Sequence, residues 1–255
     1  MMSNRASPQA PPQGVRGHTD APRREPHVGC DGCLARHLSV CASLPQEETR
    51  DLEAAAGRLR LPAGATLARE GAPRREVYTV TSGMLRQVRV LADGRRLVAG
   101  FLQAGDFIGL TGSLTHRHTI EAISDTALCA FPLQGMRALC ERHPELGAGV
   151  LDHAFHALDA SESSQMALAR MTPLERLAGF LLDMAARQQQ RGGEAGRVEL
   201  PMTRADIADH LGLTVETVSR SFTRLRREEY VHFDDPHHIE LRAPERLRAL
   251  VQSPG

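Results

Sequence analysis

The stretch Thr203 to Tyr230, TRADIADHLGLTVETVSRSFTRLRREEY, reads as two short helices joined by a tight turn. Thr203 is placed as an N-cap, with Asp206 three residues on to return a hydrogen bond or favour the positive helix end. Ile207, Ala208 and Leu211 give the first helix one apolar face. Gly212 supplies the left-handed turn that a side chain resists. Thr214 can cap the second helix, whose inward side is Val218, Phe222 and Leu225 at i, i+4, i+7. Its other side carries Glu216, Ser219, Arg220 and Thr223, followed by Arg224, Arg226 and Arg227. A charged helix face is most often merely solvated. Here a turn glycine, two caps and a polar face with a basic end coincide, which fits a helix laid in the major groove of double-stranded DNA.

Around this unit the chain has 255 residues, enough for about two domains. Basic and acidic residues balance at 31 each, and every basic residue is Arg, so only the local cluster from Arg220 to Arg227 points to nucleic acid. No apolar run approaches the roughly 18 residues of a membrane span, and the N-terminus has no apolar segment behind its charges. A cytoplasmic protein without membrane contact is expected, in which the five cysteines are free, catalytic or metal-binding rather than paired. No nucleophile with a base, phosphate loop or paired carboxylates stands out, so no enzyme is expected. The scattered histidines show no convergent spacing.

The chain divides into a Pro/Gly/Ser/Arg-rich tail (1–27) expected to be disordered, a cysteine-rich segment (28–43), a sensor domain (44–140), a long helix (141–171) and the DNA-reading domain (172–255). Gln46 to Leu59 reads as an acidic helix packed by Leu52, Ala55, Ala56 and Leu59. From Leu61 to Pro132 short apolar runs alternate with glycines, the pattern of an all-β barrel or sandwich, and Asp93-Gly94 marks a hairpin. The near-heptad series Val150, Ala154, Ala157, Leu158, Ser161, Gln165 and Leu168 suits a helix paired with its copy in a homodimer, or equally one packed on its own domain. Thr172-Pro173 starts the next helix. Val231 to Leu241 suggests a small wing, and Pro244 to Val251 a last helix.

The order of these parts resembles the Crp–Fnr family of bacterial transcription regulators, and LPMTRADIADHLGLTVETVSR (200–220) is similar to that family's DNA-binding signature. The resemblance implies an α+β fold: an N-terminal β-roll of the cyclic-nucleotide-binding jelly-roll type, a long dimerisation helix and a C-terminal winged helix-turn-helix. Glu216-x-x-Ser219-Arg220 is similar to the Fnr-type reading head, which implies contacts from Glu216 and Arg220 to a TTGAT-like half-site, with Ser219 and Val215 setting selectivity. Arg is the commonest donor to guanine and Glu can accept from cytosine N4. Thr203, Arg204, Thr214, Thr217, Thr223 and Arg224 complete the expected DNA-binding set. RNA polymerase is the implied partner, with the Asp93-Gly94 loop and the wing as candidate contacts.

The cyclic-nucleotide branch carries Gly-Glu at its phosphate pocket and Arg-Ser several residues on. Here the matching stretch is Phe107 to Ser113, with Leu110 in place of the acid and His118-Thr119 where Arg-Ser would fall, so no Arg faces a phosphate and no cyclic nucleotide is expected. Cys30, Cys33 and Cys41 are spaced C-x2-C-x7-C, which resembles the cluster ligands of the oxygen-responsive Fnr branch, and Cys129 in DTALCAFP falls where that branch has its fourth. The implied cofactor is a [4Fe–4S] cluster whose oxidation lowers the dimer population. From spacing alone four thiolates fit a structural zinc site equally, and nitric oxide or general redox state could be the signal. Leu34 is placed to shield the cluster, Asp152, Asp159 and Glu162 to weaken the dimer, and Cys140 as a core thiol.

Overall fold

The computed structural model describes residues 22–25 and 29–252. The strand β1 (Arg23–Glu25) precedes the cysteine segment, which winds through three short 3-10 turns at Arg36–Leu38, Val40–Ser43 and Gln46–Glu48. Then come α1 (Thr49–Ala55), β2 (Gly57–Leu61), β3 (Thr66–Ala68), β4 (Glu76–Ser82), β5 (Met84–Val90), β6 (Arg96–Gln103), β7 (Phe107–Ile108), β8 (Thr119–Ala122) and β9 (Thr126–Pro132). The helices α2 (Leu133–Arg142), α3 (Pro144–Arg170) and α4 (Pro173–Gln190) follow. The chain ends with β10 (Arg197–Glu199), α5 (Arg204–Leu211), α6 (Val215–Arg227), β11 (Val231–His232), β12 (His238–Leu241) and α7 (Pro244–Gln252).

Two antiparallel sheets, ordered β1-β2-β9-β4-β7 and β3-β8-β5-β6, close on Leu59, Leu61, Tyr78, Val80, Leu85, Ile120 and Leu128 as a jelly roll. The hairpin expected at Asp93-Gly94 joins β5 to β6, with Val90 opposite Arg96 and Gly94 at φ +84°. The period-2 alternation of β9 decides what faces where. Leu128 and Ala130 point between the sheets, so Cys129 and Phe131 point to the outer face, under the cysteine segment and α2.

Three expectations need correction. The expected 1–27 tail includes β1, an edge strand held by Arg24 to Glu76 at 2.8 Å and Arg60 to Glu25 at 2.9 Å; residues 1–21, 26 and 27 of that tail lie outside the described residues. The helix expected over Gln46 to Leu59 stops at Ala55, because Gly57 begins β2 and Leu59 is needed inside the roll. The long helix starts at Pro144, which suits a first helical turn whose N–H groups are unbonded anyway.

The DNA-reading unit is not tethered loosely. Met84, Val88, Val98 and Phe101 of the roll share one core with α4, α5 and α6. Phe101, Phe180 and His210 form an aromatic trio with centroids 5.2–5.9 Å apart. Arg187 and Arg191 reach Asp106. The buried Asp206 carboxylate accepts from Arg86 at 3.0 Å and Arg96 at 2.8 Å while closing the α5 capping box with Thr203. Burial alone would push this carboxyl up. The Thr203 and Arg96 hydrogen bonds and the Arg86 charge hold it below the ordinary carboxylate value. A depressed folded-state pKa means the group's stabilisation is present above the ordinary aspartate pKa and lost as pH falls through the depressed value. Asp206→Ala is expected to cost about 2 kcal/mol in urea unfolding at neutral pH. It removes the α5 cap and one of two carboxylate partners from each guanidinium, Arg86 keeping Glu121 and Arg96 keeping Asp209. The difference from wild type should shrink in acid.

Candidate nucleic-acid interface and thiol site

The reading helix is built as its sequence requires. Thr214 caps α6 by accepting from Thr217 N at 3.2 Å, and Gly212 closes α5 in the left-handed region at φ +64°. Val218, Phe222 and Leu225 are buried, as is Ser221, while Glu216, Ser219, Arg220, Thr223 and Arg224 face solvent. Val215 is 43% exposed at the helix start. The Glu216 carboxyl lies below the ordinary glutamate value, held first by its own backbone N–H and by the Thr214 hydroxyl, with Arg220 one turn on contributing further. A carboxylate and a guanidinium thus stand side by side on an open face, an arrangement suited to reading the edges of a base pair. Because α5 turns Asp206, Asp209 and His210 to the roll, α6 is left as the free helix.

The other expected DNA-contact positions differ among themselves. Thr203 and Thr214 spend their hydroxyls on caps, and Thr217 hydrogen-bonds Thr214 at 3.0 Å. Arg224 is tied to Glu228 at 2.8 Å. Arg204 stacks its guanidinium 3.3 Å above the Phe222 ring, with Nη1 buried and without a partner; desolvation lowers its pKa to about 10. It lines a groove between α6 and the wing with Ser219, Thr223, Arg226, Asp234 and Asp235.

α3 runs 27 residues, and beyond its first two turns it carries almost no cover from its own chain. Leu151, Phe155, Leu158 and Met166 lie on one stripe and are 53–69% exposed. The predicted seam is displaced by about one residue from this stripe. Val150 packs on its own domain's core and Ala154 is half-buried, whereas Ala157, Leu158, Ser161, Gln165 and Leu168 are exposed. A near-heptad series of small and apolar residues fits either face, and only the packing of Val150 on the roll orients the helix. Asp152, Asp159 and Glu162 are all exposed.

At the base of α3 the cysteine segment is folded in rather than hanging free. Ala35, Val40 and Leu44 are buried. Gly149 of α3 permits the contact: a Cβ there would fall 3.0 Å from Ser43 Cβ and 3.4 Å from the Val40 carbonyl. Gly105, at φ +95°, admits Leu38 in the same way. This seating places Cys41 in the same apolar cluster as Cys129, and Cys33 donates its backbone N–H to the Cys30 carbonyl at 3.1 Å. The Cys30 thiol is pushed up to about 12 by burial and then by Cys41, Glu53 and Cys129. Cys129 is also pushed up to about 12, by burial and then by Cys33 and Cys41, with Arg58 opposing. Cys41 is raised by burial and Cys33, while the Ser39 hydroxyl and Arg36 pull it down. Cys30, Cys41 and Cys129 are thus each raised in part by another cysteine of the set. Among the described residues no group of three or more His, Cys, Asp or Glu is drawn together as a shell for one metal ion. Cys140 is half-buried in α2 and none of these mutual effects involves it. Leu34 is 88% exposed and does not cover the thiols.

Two neighbours of the thiols escaped the sequence reading. Thr79, 2% exposed, stands opposite Cys129 across β4–β9 with its hydroxyl buried and unpartnered. Glu53 accepts a hydrogen bond from the Cys30 backbone N–H. Neither belongs to a motif, and only strand register and the turn of α1 bring them there.

A second groove lies between the loop Gly109–Gly112 and α3, lined also by Leu110, Arg74, Arg137, Val150 and Ala154. An Arg does border the loop, contrary to expectation. Arg74 donates to the carbonyls of Gly109, Thr111 and Ser113 at 2.9–3.1 Å, so its guanidinium holds the loop's own backbone.

Among the described residues no helix is long and apolar enough to cross a membrane. Residues 175–250 match the Crp-like helix-turn-helix domain and residues 58–143 the cyclic nucleotide-binding domain. The chain is 35% identical to the nitrogen fixation regulation protein FixK of Bradyrhizobium diazoefficiens, over 87% of this chain and 93% of that one. It is 31% identical to the transcriptional activator protein FnrL of Cereibacter sphaeroides, over 82% and 86%. The solved structure of FixK2 from Bradyrhizobium japonicum superposes with a TM-score of 0.73 at 32% identity, covering 78% of this chain and 99% of that one.

Proposed function

From the premise that the chain belongs to the Crp–Fnr family of transcription regulators, we propose that it is an oxygen-responsive activator whose four thiols hold a [4Fe–4S] cluster. The observation that supports this reading is the seating of the C-x2-C-x7-C segment on the outer side of β9, where Cys41 packs in the same apolar cluster as Cys129 at the base of an uncovered helix. Four thiolates from these positions would suit a cluster or a tetrahedral zinc alike, and the resemblance of the C-x2-C-x7-C spacing to the Fnr branch favours the cluster. When bound, the cluster supplies an oxygen-labile link among those thiolates. The chain's own residues transmit its presence. Cys129 fixes the segment to the roll, Gly149 seats that segment against α3, and α3 presents Leu151, Phe155 and Leu158 to a second copy. Glu162 on the same stripe sets a charge in the pairing face, so that a modest ligand energy can shift the pairing.

Two reading helices held by the dimer then meet adjacent major grooves about one helical turn apart, and the Glu216–Arg220 head supports TTGAT-like half-sites. Such a regulator works where the DNA is, in the cytoplasm, with RNA polymerase as its partner. Arg74, spent on carbonyls, offers a cyclic phosphate little, which supports a roll that has given up that ligand. The test is the metal content of protein prepared without oxygen: iron and acid-labile sulfide in equal amounts are expected. Zinc without sulfide would replace this reading with a structural metal site.

A further inference from the structure

Regular structure is interrupted where the long helix meets the reading unit. α3 ends at Arg170, and Met171 and Thr172 are extended, at ψ 144° and 160°, before Pro173 opens α4. The Thr172 N–H, which could have paired with the Leu168 carbonyl, is given instead to Glu175 in the α4 capping box. No continuous helical ladder crosses these two residues, so the backbone alone does not fix the angle at which α4 leaves α3.

One side chain spans the junction. Arg176, near the start of α4, donates Nη2 to the Leu168 carbonyl at 2.8 Å and Nε to the Met171 carbonyl at 3.0 Å. Its Nη1 donates to the Leu211 carbonyl at 3.1 Å. Leu168 and Leu211 lie in the last turns of α3 and α5, where carbonyls lack an intrahelical partner and the helix dipole is negative. A planar guanidinium, with its donors in a fixed fork, can serve three such oxygens at once. The packing at this point is also close. A Cβ on Gly212, the turn glycine between α5 and α6, would fall 3.2 Å from Leu168 Cδ2. Leu168, expected on the dimer seam, therefore lies against the helix-turn-helix of its own chain.

We infer that Arg176 is a positioning residue for DNA reading. It locks the end of α3 to α4 and to the turn before α6, and so sets the distance and angle between the two reading helices of a dimer. The inference rests on the dimeric DNA-binding reading above. One base pair of extra spacing moves the second half-site by about 3.4 Å and about a tenth of a turn. A rigid junction rejects such a duplex, and a loose one accommodates it.

The experiment uses full-length wild type, Arg176→Gln and Arg176→Lys, all prepared without oxygen. Fluorescence anisotropy at fixed salt compares TTGAT-like palindromes whose half-site spacings differ by one base pair, and sedimentation gives the dimer fraction. The readout is the ratio of affinities between spacings, from which any inactive fraction of a variant cancels. Wild type is expected to prefer one spacing by about tenfold, the scale of one or two hydrogen bonds at the junction. Arg176→Gln should reduce that preference to about twofold or less at an unchanged dimer fraction. Arg176→Lys should behave like Arg176→Gln, because a compact ammonium cannot span three carbonyls. A preference unchanged in both variants, or one that falls only together with the dimer fraction, would overturn the inference, as would wild type indifferent to spacing. Wild type that binds none of the palindromes better than a scrambled duplex would instead remove the DNA-binding reading on which the inference stands.

Discussion

Arg220→Ala is expected to abolish sequence-specific DNA binding while leaving weak general affinity in place. A good bidentate contact to a base is worth about 1–3 kcal/mol, and a two-fold dimer makes it twice. The combined loss of about 2–6 kcal/mol corresponds to at least roughly 30-fold in affinity. Arg220 lies on the open face of α6, so its removal leaves no cavity and should not alter folding. Arg224→Ala is the informative comparison, because Arg224 is already engaged by Glu228 at 2.8 Å. Its removal should weaken all duplexes slightly and alike, the behaviour of a phosphate contact. Fluorescence anisotropy at fixed salt on a TTGAT-like palindrome and a scrambled duplex separates the two. Equal losses on both duplexes for Arg220→Ala would contradict its place in base reading.

Cys129→Ala is expected to prevent stable assembly of iron and sulfide, whereas Cys140→Ala retains both in full. The contrast comes from strand alternation. Cys129 points from β9 to the outer face, where it packs in one cluster with Cys41, while Cys140, on α2 at the edge of the same cluster, is acted on by none of the other thiols. Removing the one ligand carried by the sheet also cuts the segment's link to the roll, so the dimer fraction under anaerobic conditions should fall with the iron. Iron and sulfide analysis of both variants decides it. Equal loss in the two, or iron retained without Cys129, would mean that the fourth ligand lies elsewhere.

The helix-turn-helix was legible because its signals are local: two threonine caps, Gly212 and an i, i+4, i+7 apolar set are each complete within a few residues. The hairpin at Asp93-Gly94 was legible for the same reason. What escaped the sequence is what depends on distant partners. Leu59 belongs to β2 because the roll's core needs it, although the run before it continues a helical pattern. Asp206 reads as a cap, and it is one, yet its carboxylate also receives Arg86 and Arg96 from more than 100 residues away. Thr79 lies in an ordinary strand, and only its register with Cys129 marks it. The exposed stripe on α3 differs from the predicted seam because the helix's rotation is set by the side that packs on the roll.

The central claim joins a thiol-held cluster to the pairing of α3, and one measurement addresses both ends. Protein prepared without oxygen is followed during air exposure by visible absorption and by sedimentation on the same sample. The account predicts a broad sulfide-to-iron charge-transfer band that bleaches while dimer converts to monomer, with loss of palindrome binding on the same time course. A colourless protein that is already dimeric and binds the palindrome in air would contradict it, leaving the DNA-reading surface intact and the oxygen response without a basis.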